Sequence, residues 1–251
     1  WFMDTYSQIQ GFAVPGIVTG KPIAIGGSLG RSESTGKGVA FCINFAYEEM
    51  GKEIGKSTTV AIHGFGKVGI PAAHDLFEQG AKIVAVSDVS GGIYNANGLN
   101  PRDVEKWVKE NRYIKGYPHA DAITNDELLA LNVDVLIPAA IDGVVTKDNV
   151  HTIKAKVIAE GANGPLTREA IEYLSEKGVF IIPDILCNAG GVIVSYFEWV
   201  QGLQYFFWDL DQINKKLYEM LKFAFKEVMF VQKKHNVDMK KAAFITALKR
   251  L

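Results

Sequence analysis

Thr58-Thr59-Val60-Ala61-Ile62-His63-Gly64-Phe65-Gly66-Lys67-Val68-Gly69 is the stretch from which the fold follows. It opens as a run of β-branched and apolar residues, as suits a strand covered on both faces. Glycines then stand at 64, 66 and 69. A helix is expected over 68–79, closed by Gly80, and Lys82-Ile83-Val84-Ala85-Val86-Ser87 reads as a second buried strand. Asp88 ends that strand, nineteen residues beyond Gly69. Strand, glycine turn, helix and strand in this order form a parallel βαβ unit.

Each part has a physical task in holding a dinucleotide. Gly64 permits the tight turn. Gly66 carries no Cβ, so a pyrophosphate can approach the backbone, and Gly69 lets the helix pack close to the strand. Phe65, Lys67 and Val68 fill the turn and bring the unpaired N–H groups of a helix N-terminus to the phosphates. Asp88 can accept hydrogen bonds from both hydroxyls of the adenosine ribose. It would repel a 2′-phosphate, which favours NAD; NADP remains compatible if a cation such as Lys67 compensates.

Outward from this unit, strands and helices alternate. Gly91-Gly92-Ile93-Tyr94 suggests a small hairpin excursion, helices start near Pro101 and Asn125, and strands are expected at 133–137, 156–160 and 179–182 with a helix over 167–177. Upstream, Ser34 or Thr35 is a candidate cap for a helix ending at Gly51. From Gly190 the pattern is helical, with an aromatic cluster at Tyr205-Phe206-Phe207-Trp208, expected in the core or at an interface. Asp209 or Asp211 then caps a long helix to about His235. The expected fold is α/β: a doubly wound, Rossmann-type, mostly parallel sheet with C-terminal helices. The expected division is a connecting segment over 1–20, the dinucleotide-binding domain over 21–200, and a helical extension over 201–251.

Composition narrows the function classes. The 251 residues are 48% hydrophobic and 22% charged, with a formal net charge of −1, so the chain is an ordinary globular one with no basic bias toward nucleic acid or anionic membrane. No apolar run is long enough for a membrane span. Cys42 and Cys187 form neither a disulfide framework nor a CxxC motif, which fits a reducing cytoplasm. His63, His74, His119, His151 and His235 have no metal-ligand spacing, and no metal is expected. His63, just before the glycine turn, reads as structural. The chain opens on aromatics without an initiator Met and stops in a helical pattern, so a piece of a longer protein is expected.

Four further segments go beyond a generic dinucleotide fold: Gly26-Gly27-Ser28-Leu29-Gly30-Arg31-Ser32-Glu33-Ser34-Thr35-Gly36; Pro138-Ala139-Ala140; Glu160-Gly161-Ala162-Asn163-Gly164-Pro165; and Cys187-Asn188-Ala189-Gly190-Gly191-Val192-Ile193-Val194-Ser195-Tyr196-Phe197-Glu198-Trp199. In order and over the whole chain, they resemble the hexameric glutamate dehydrogenases of archaea and bacteria, in their second, NAD-binding domain. The resemblance implies that Thr35 and Asn188 hold the nicotinamide carboxamide. Ala139 and Ala140 would pass beside the nicotinamide ribose, and Asn163 would contact that ribose or the substrate. Arg31 and Ser195 would face the substrate, Ser195 near the side-chain carboxylate of glutamate. An Asn offers both donor and acceptor to a carboxamide. Read alone, these residues have plainer roles: Asn163 and Asn188 as turn residues, Ala139 and Ala140 as small packing residues, Thr35 as a cap, Arg31 as a surface ion-pair former.

The reaction implied is oxidative deamination of L-glutamate to 2-oxoglutarate and ammonia with NAD(P), in a homo-hexamer. The family's catalytic lysine and aspartate belong to an N-terminal substrate domain, and no segment here matches either. The expectation is therefore a chain that binds cofactor without turnover and contributes no catalytic residue of its own. Two other readings stand beside it: an amino-acid dehydrogenase for apolar substrates, and a nucleotide-sensing regulatory module.

Overall fold

The computed structural model describes residues 1–251. The chain begins with α1 (Phe2–Gln10) and short 3-10 turns, then α2 (Ser34–Glu49), β1 (Thr59–His63), α3 (Gly69–Glu78), β2 (Lys82–Asp88) and β3 (Gly91–Tyr94). Next come α4 (Pro101–Asn111), β4 (Asp121–Ile123), α5 (Asn125–Leu129), β5 (Val135–Pro138) and β6 (Val157–Ala159). It closes with α6 (Arg168–Glu176), β7 (Phe180–Ile182), α7 (Asp184–Cys187), α8 (Gly190–Gln204), α9 (Leu210–His235) and α10 (Met239–Leu248). The seven strands form one sheet, ordered β4-β3-β2-β1-β5-β6-β7. The run from β2 to β7 is parallel, and β3 and β4 add antiparallel at the edge. This is the doubly wound, mostly parallel sheet expected from the sequence.

The strand pattern divides the core into two layers. Val60 and Ile62 of β1 face a cluster of 40 buried residues that includes α2, α3, α8 and α9, whereas Ala61 faces a second cluster of 16 beneath α5 and α6. Leu217, Leu221 and Phe225 of α9 are fully or almost fully buried in the larger cluster. Asp209 starts α9 with a capping box to Gln212, and Thr124 does the same for α5 with Glu127. No helix is long and apolar enough to cross a membrane.

Three local expectations need correction or addition. Neither Ser34 nor Thr35 caps α2: both lie in its first turn, Glu33 occupies the cap position without a side-chain bond, and Ser34 Oγ donates back to the Arg31 carbonyl at 2.9 Å. The loop through Gly30 has already turned the chain, so the helix starts one residue early. Tyr205, Phe206 and Phe207 are exposed; only Trp208 packs inward, edge-on against Phe197. The Gly91 excursion pairs with β4 as well as β2, an edge strand whose three residues carry too little pattern to be read in advance.

A buried ion pair fixes the segment ahead of α2. Lys21 Nζ lies 2.7 Å from Glu198 Oε1, and the backbone N–H groups of Gly20 and Lys21 also donate to that carboxylate. Burial pushes the Glu198 carboxyl up, but the Lys21 side chain and the two backbone donors outweigh it and hold the group below its ordinary 4.5.

Candidate functional site

β1 leads through α3 to β2 on one side, and its other neighbour is β5. The chain thus changes direction between β1 and β5, and a crevice opens beyond the carboxyl ends of those strands. A cleft of about 950 Å³ lies there. Its walls include Arg31, Thr35, Val68, Ala139, Ala140, Asn163 and Asn188, which stand far apart in sequence. Ile141, Asp142, Gly161, Ala162, Gly164, Gly191 and Val192 complete the lining.

The glycine turn behaves as its spacing requires. Gly64 has φ +105°, a left-handed conformation that side chains resist, and a Cβ there would lie 2.6 Å from the Ala140 nitrogen. A Cβ on Gly69 would lie 2.1 Å from the Gly64 carbonyl oxygen, whereas one on Gly66 would meet nothing within 4 Å. The space above Gly66 is therefore open to a ligand. The N–H groups of Gly66, Lys67, Val68 and Gly69 donate to no acceptor in the protein. The Phe65 side chain is buried, so only its backbone belongs to the turn, and its N–H donates to the Ser87 carbonyl. Lys67 is exposed.

Further helix ends converge on the same cleft. A Cβ on Gly36 would lie 2.3 Å from the Val68 carbonyl oxygen, and one on Gly190 would lie 2.1 Å from that of Ser34. These contacts wedge the start of α2 between those of α3 and α8. Each helix N-terminus carries partial positive charge, so the cleft favours an anionic ligand. Arg31 adds a full charge, and its Nε is buried without a hydrogen-bond partner. Asn188 Nδ2 donates to Asn163 Oδ1 at 2.7 Å, joining the two predicted amides across the cleft. Thr35 Oγ1 sits so close to Gly191 that a Cβ there would be 2.5 Å away.

Asp88 stands at the end of β2, outside the lining of this cleft. Its Oδ1 accepts from Ser90 N–H at 2.7 Å and Ser90 Oγ–H at 2.5 Å, and its Oδ2 accepts from Ile114 N–H at 2.8 Å. Oδ1 already accepts two hydrogen bonds, whereas Oδ2 accepts one and keeps acceptor capacity for a ribose hydroxyl. Sequence reasoning missed Ser90 and Ile114; only the SD-x-S spacing after β2 hinted at the first. Ser195 is half-buried on α8, one turn beyond Gly191, and does not line the cleft. His63 is buried, burial lowers its pKa, and its Nδ1 has no partner. Cys187 is fully buried, and burial together with neighbouring Cys42 pushes its thiol well up, so it is no nucleophile.

The unpaired N–H donors, the open space over Gly66 and the cation at Arg31 suit an anionic ligand of dinucleotide size. Residues 26–251 match the family model described as Glutamate/Leucine/Phenylalanine/Valine dehydrogenase. The chain belongs to this family. Over its full length it is 52% identical to a glutamate dehydrogenase of Thermotoga maritima, of which it spans 60%. Among solved structures it resembles the hetero-hexameric glutamate dehydrogenase of Thermus thermophilus in a leucine-bound form, with TM-score 0.93, 32% identity, and coverage of 100% of this chain and 59% of that one. The glutamate dehydrogenase of Peptoniphilus asaccharolyticus follows at TM-score 0.85 and 33% identity, again over 100% of this chain and 59% of that one. The family member described here therefore spans about 60% of the length of its relatives.

Proposed function

We propose that this chain is the cofactor-binding part of an oxidoreductase that oxidatively deaminates L-glutamate to 2-oxoglutarate and ammonia. One observation carries the reading: a single cleft at the topological switch point gathers Arg31, Thr35, Ala139, Ala140, Asn163 and Asn188 beside the glycine turn. The free N–H groups of residues 66–69 would hold the pyrophosphate, Asp88 the adenosine ribose, and Thr35, Asn163 and Asn188 the nicotinamide end. When bound, NAD(P) supplies the hydride acceptor. Arg31 would meet a substrate carboxylate, with Ser195 further along α8. A nucleotide sensor has little use for the nicotinamide end of this cleft, which favours hydride chemistry over a regulatory module.

The cofactor is NAD in preference to NADP. Supporting this, three hydrogen bonds hold the Asp88 carboxylate where it cannot swing away from a 2′-phosphate. The rest of the protein is an N-terminal substrate domain with a lysine and an aspartate for proton transfer, in a cytoplasmic homo-hexamer. The exposed Phe2, Phe12, Tyr205 and Phe206 support a contact surface on this chain. In this division residues 1–20 connect the two parts, 21–200 bind the dinucleotide, and 201–251 reach toward the substrate domain.

Calorimetric titration of the 251-residue chain tests the reading. NADH binds, NADPH binds more weakly, and Asp88→Ala removes most of the difference. An absence of heat with NADH would overturn it. Glutamate against leucine turnover in the longer protein separates glutamate from apolar substrates; preference for leucine would reject the glutamate assignment.

A further inference from the structure

The cleft loop over 161–164 is tied to the C-terminal helix through two acids, Glu160 and Asp184. Glu160 directly follows β6, is fully buried, and accepts the Asp184 N–H at 2.9 Å through Oε2; its Oε1 has no partner. Asp184 begins α7 and accepts the Gly164 N–H at 2.8 Å through Oδ2. One cation faces both acids. Lys240, on α10, places Nζ 3.3 Å from Asp184 Oδ1 and 3.5 Å from Glu160 Oε2. From this cluster the chain runs in two directions into the cleft: along the loop to Asn163, and along α7 to Asn188. Those two side chains then meet each other at 2.7 Å.

We propose that Lys240 is a positioning residue for the nicotinamide end of the cleft, acting through Asp184 and Glu160; this rests on the cofactor reading above. A fully buried Glu160 beside a half-buried Asp184 holds its geometry while the one cation facing both stays. Removing it leaves Glu160, whose carboxyl burial already pushes up, to take a proton or draw in water, and the contacts around Asp184 shift in either case. The tie it loosens is the Gly164 N–H to Asp184 bond, which sets the loop bearing Asn163. The glycine turn and Asp88 hang from β1 and β2 and have no part in this cluster. Lys240 therefore governs one half of the cofactor and leaves the other half alone.

The test compares NADH, which spans the whole site, with ADP, which reaches only the turn and Asp88. In Lys240→Met the Kd for NADH rises roughly tenfold, while that for ADP is unchanged, and Lys240→Arg restores the parent value. Asp184→Ala, which removes the acceptor of the Gly164 N–H and leaves Lys240 paired with Glu160, produces the same split without stranding a charge if Lys240→Met folds poorly. Equal weakening of NADH and ADP, or no weakening of NADH, overturns the proposal. Amide exchange at Gly164 separates it from the cofactor reading. Faster exchange in both variants, in a chain whose parent binds no NADH, would remove the cofactor reading while leaving the positioning role in place; unchanged exchange would remove the positioning role.

Discussion

At the scale of single residues, the glycines of the turn make separable predictions. Gly66→Ala leaves stability nearly unchanged, because its Cβ meets nothing within 4 Å. The same methyl occupies the space a phosphate needs, so NADH affinity falls by at least about tenfold, or about 1.4 kcal/mol. Gly64→Ala behaves oppositely. Its positive φ and the backbone 2.6 Å away make the fold itself pay about 3 kcal/mol. Thermal melts alongside NADH titrations check both; a destabilised Gly66→Ala or a fully stable Gly64→Ala would contradict this account. Residue types at 64, 66, 69 and 88 were legible in sequence because each answers a steric or charge demand local to the turn. Ile114 was not, since a backbone N–H from 26 residues downstream leaves no mark on composition, and Ser90 left only the hint of its spacing two residues after Asp88.

At the scale of elements, α8 and α9 are anchored in different ways. Leu221 of α9 is fully buried and would contact a Cβ on Gly38 of α2 at 3.3 Å. Leu221→Ala opens a cavity there and costs about 3 kcal/mol, read as a lower denaturant midpoint. α8 instead holds the buried Lys21–Glu198 pair. The Glu198 pKa is lowered in the fold, so its stabilisation is present above the ordinary 4.5 and is lost as pH falls through the folded value. Wild type therefore loses stability on acidification below pH 4.5, and Glu198→Gln flattens that part of the pH profile while lowering stability at neutral pH. Equal slopes in the two proteins would show that the pair contributes nothing to acid unfolding. Lys21→Met strands the carboxylate and costs about 3–5 kcal/mol at pH 7. Helix starts at Asp209 and Thr124 were readable in advance because a cap is a local bond. The start of α2 was not: its loop turns at Gly30 against α9, where a Cβ on Gly30 would lie 2.9 Å from the side chain of Leu210, the first residue of that helix.

At the scale of the molecule, the chain spans 60% of its Thermotoga relative, and the proposed division of labour follows from which chemistry its cleft carries. The cleft offers amides, a hydroxyl, helix N-termini and Arg31, all suited to binding and orientation. It offers no lysine, and its one carboxylate, Asp142, is exposed. The 251-residue chain is thus expected to bind NADH and yet form none from glutamate and NAD. Robust glutamate-dependent absorbance at the NADH band from this chain would refute the division.

The sequence by itself determined the βαβ unit, the parallel sheet and the kinds of residue at the glycine turn. These rest on periods and spacings within about 30 residues, where sterics and hydrogen bonding act along the chain. It also carried the family segments that named Arg31, Thr35, Ala139, Ala140, Asn163 and Asn188. Only the tertiary structure brought those residues to one cleft, left Ser195 outside it, pinned Asp88, and tied Asn163 to Lys240 on the last helix. Such juxtapositions depend on how helices pack over a sheet, through glycine contacts and buried ion pairs between segments more than a hundred residues apart, as Lys21 and Glu198 are. No local pattern encodes them.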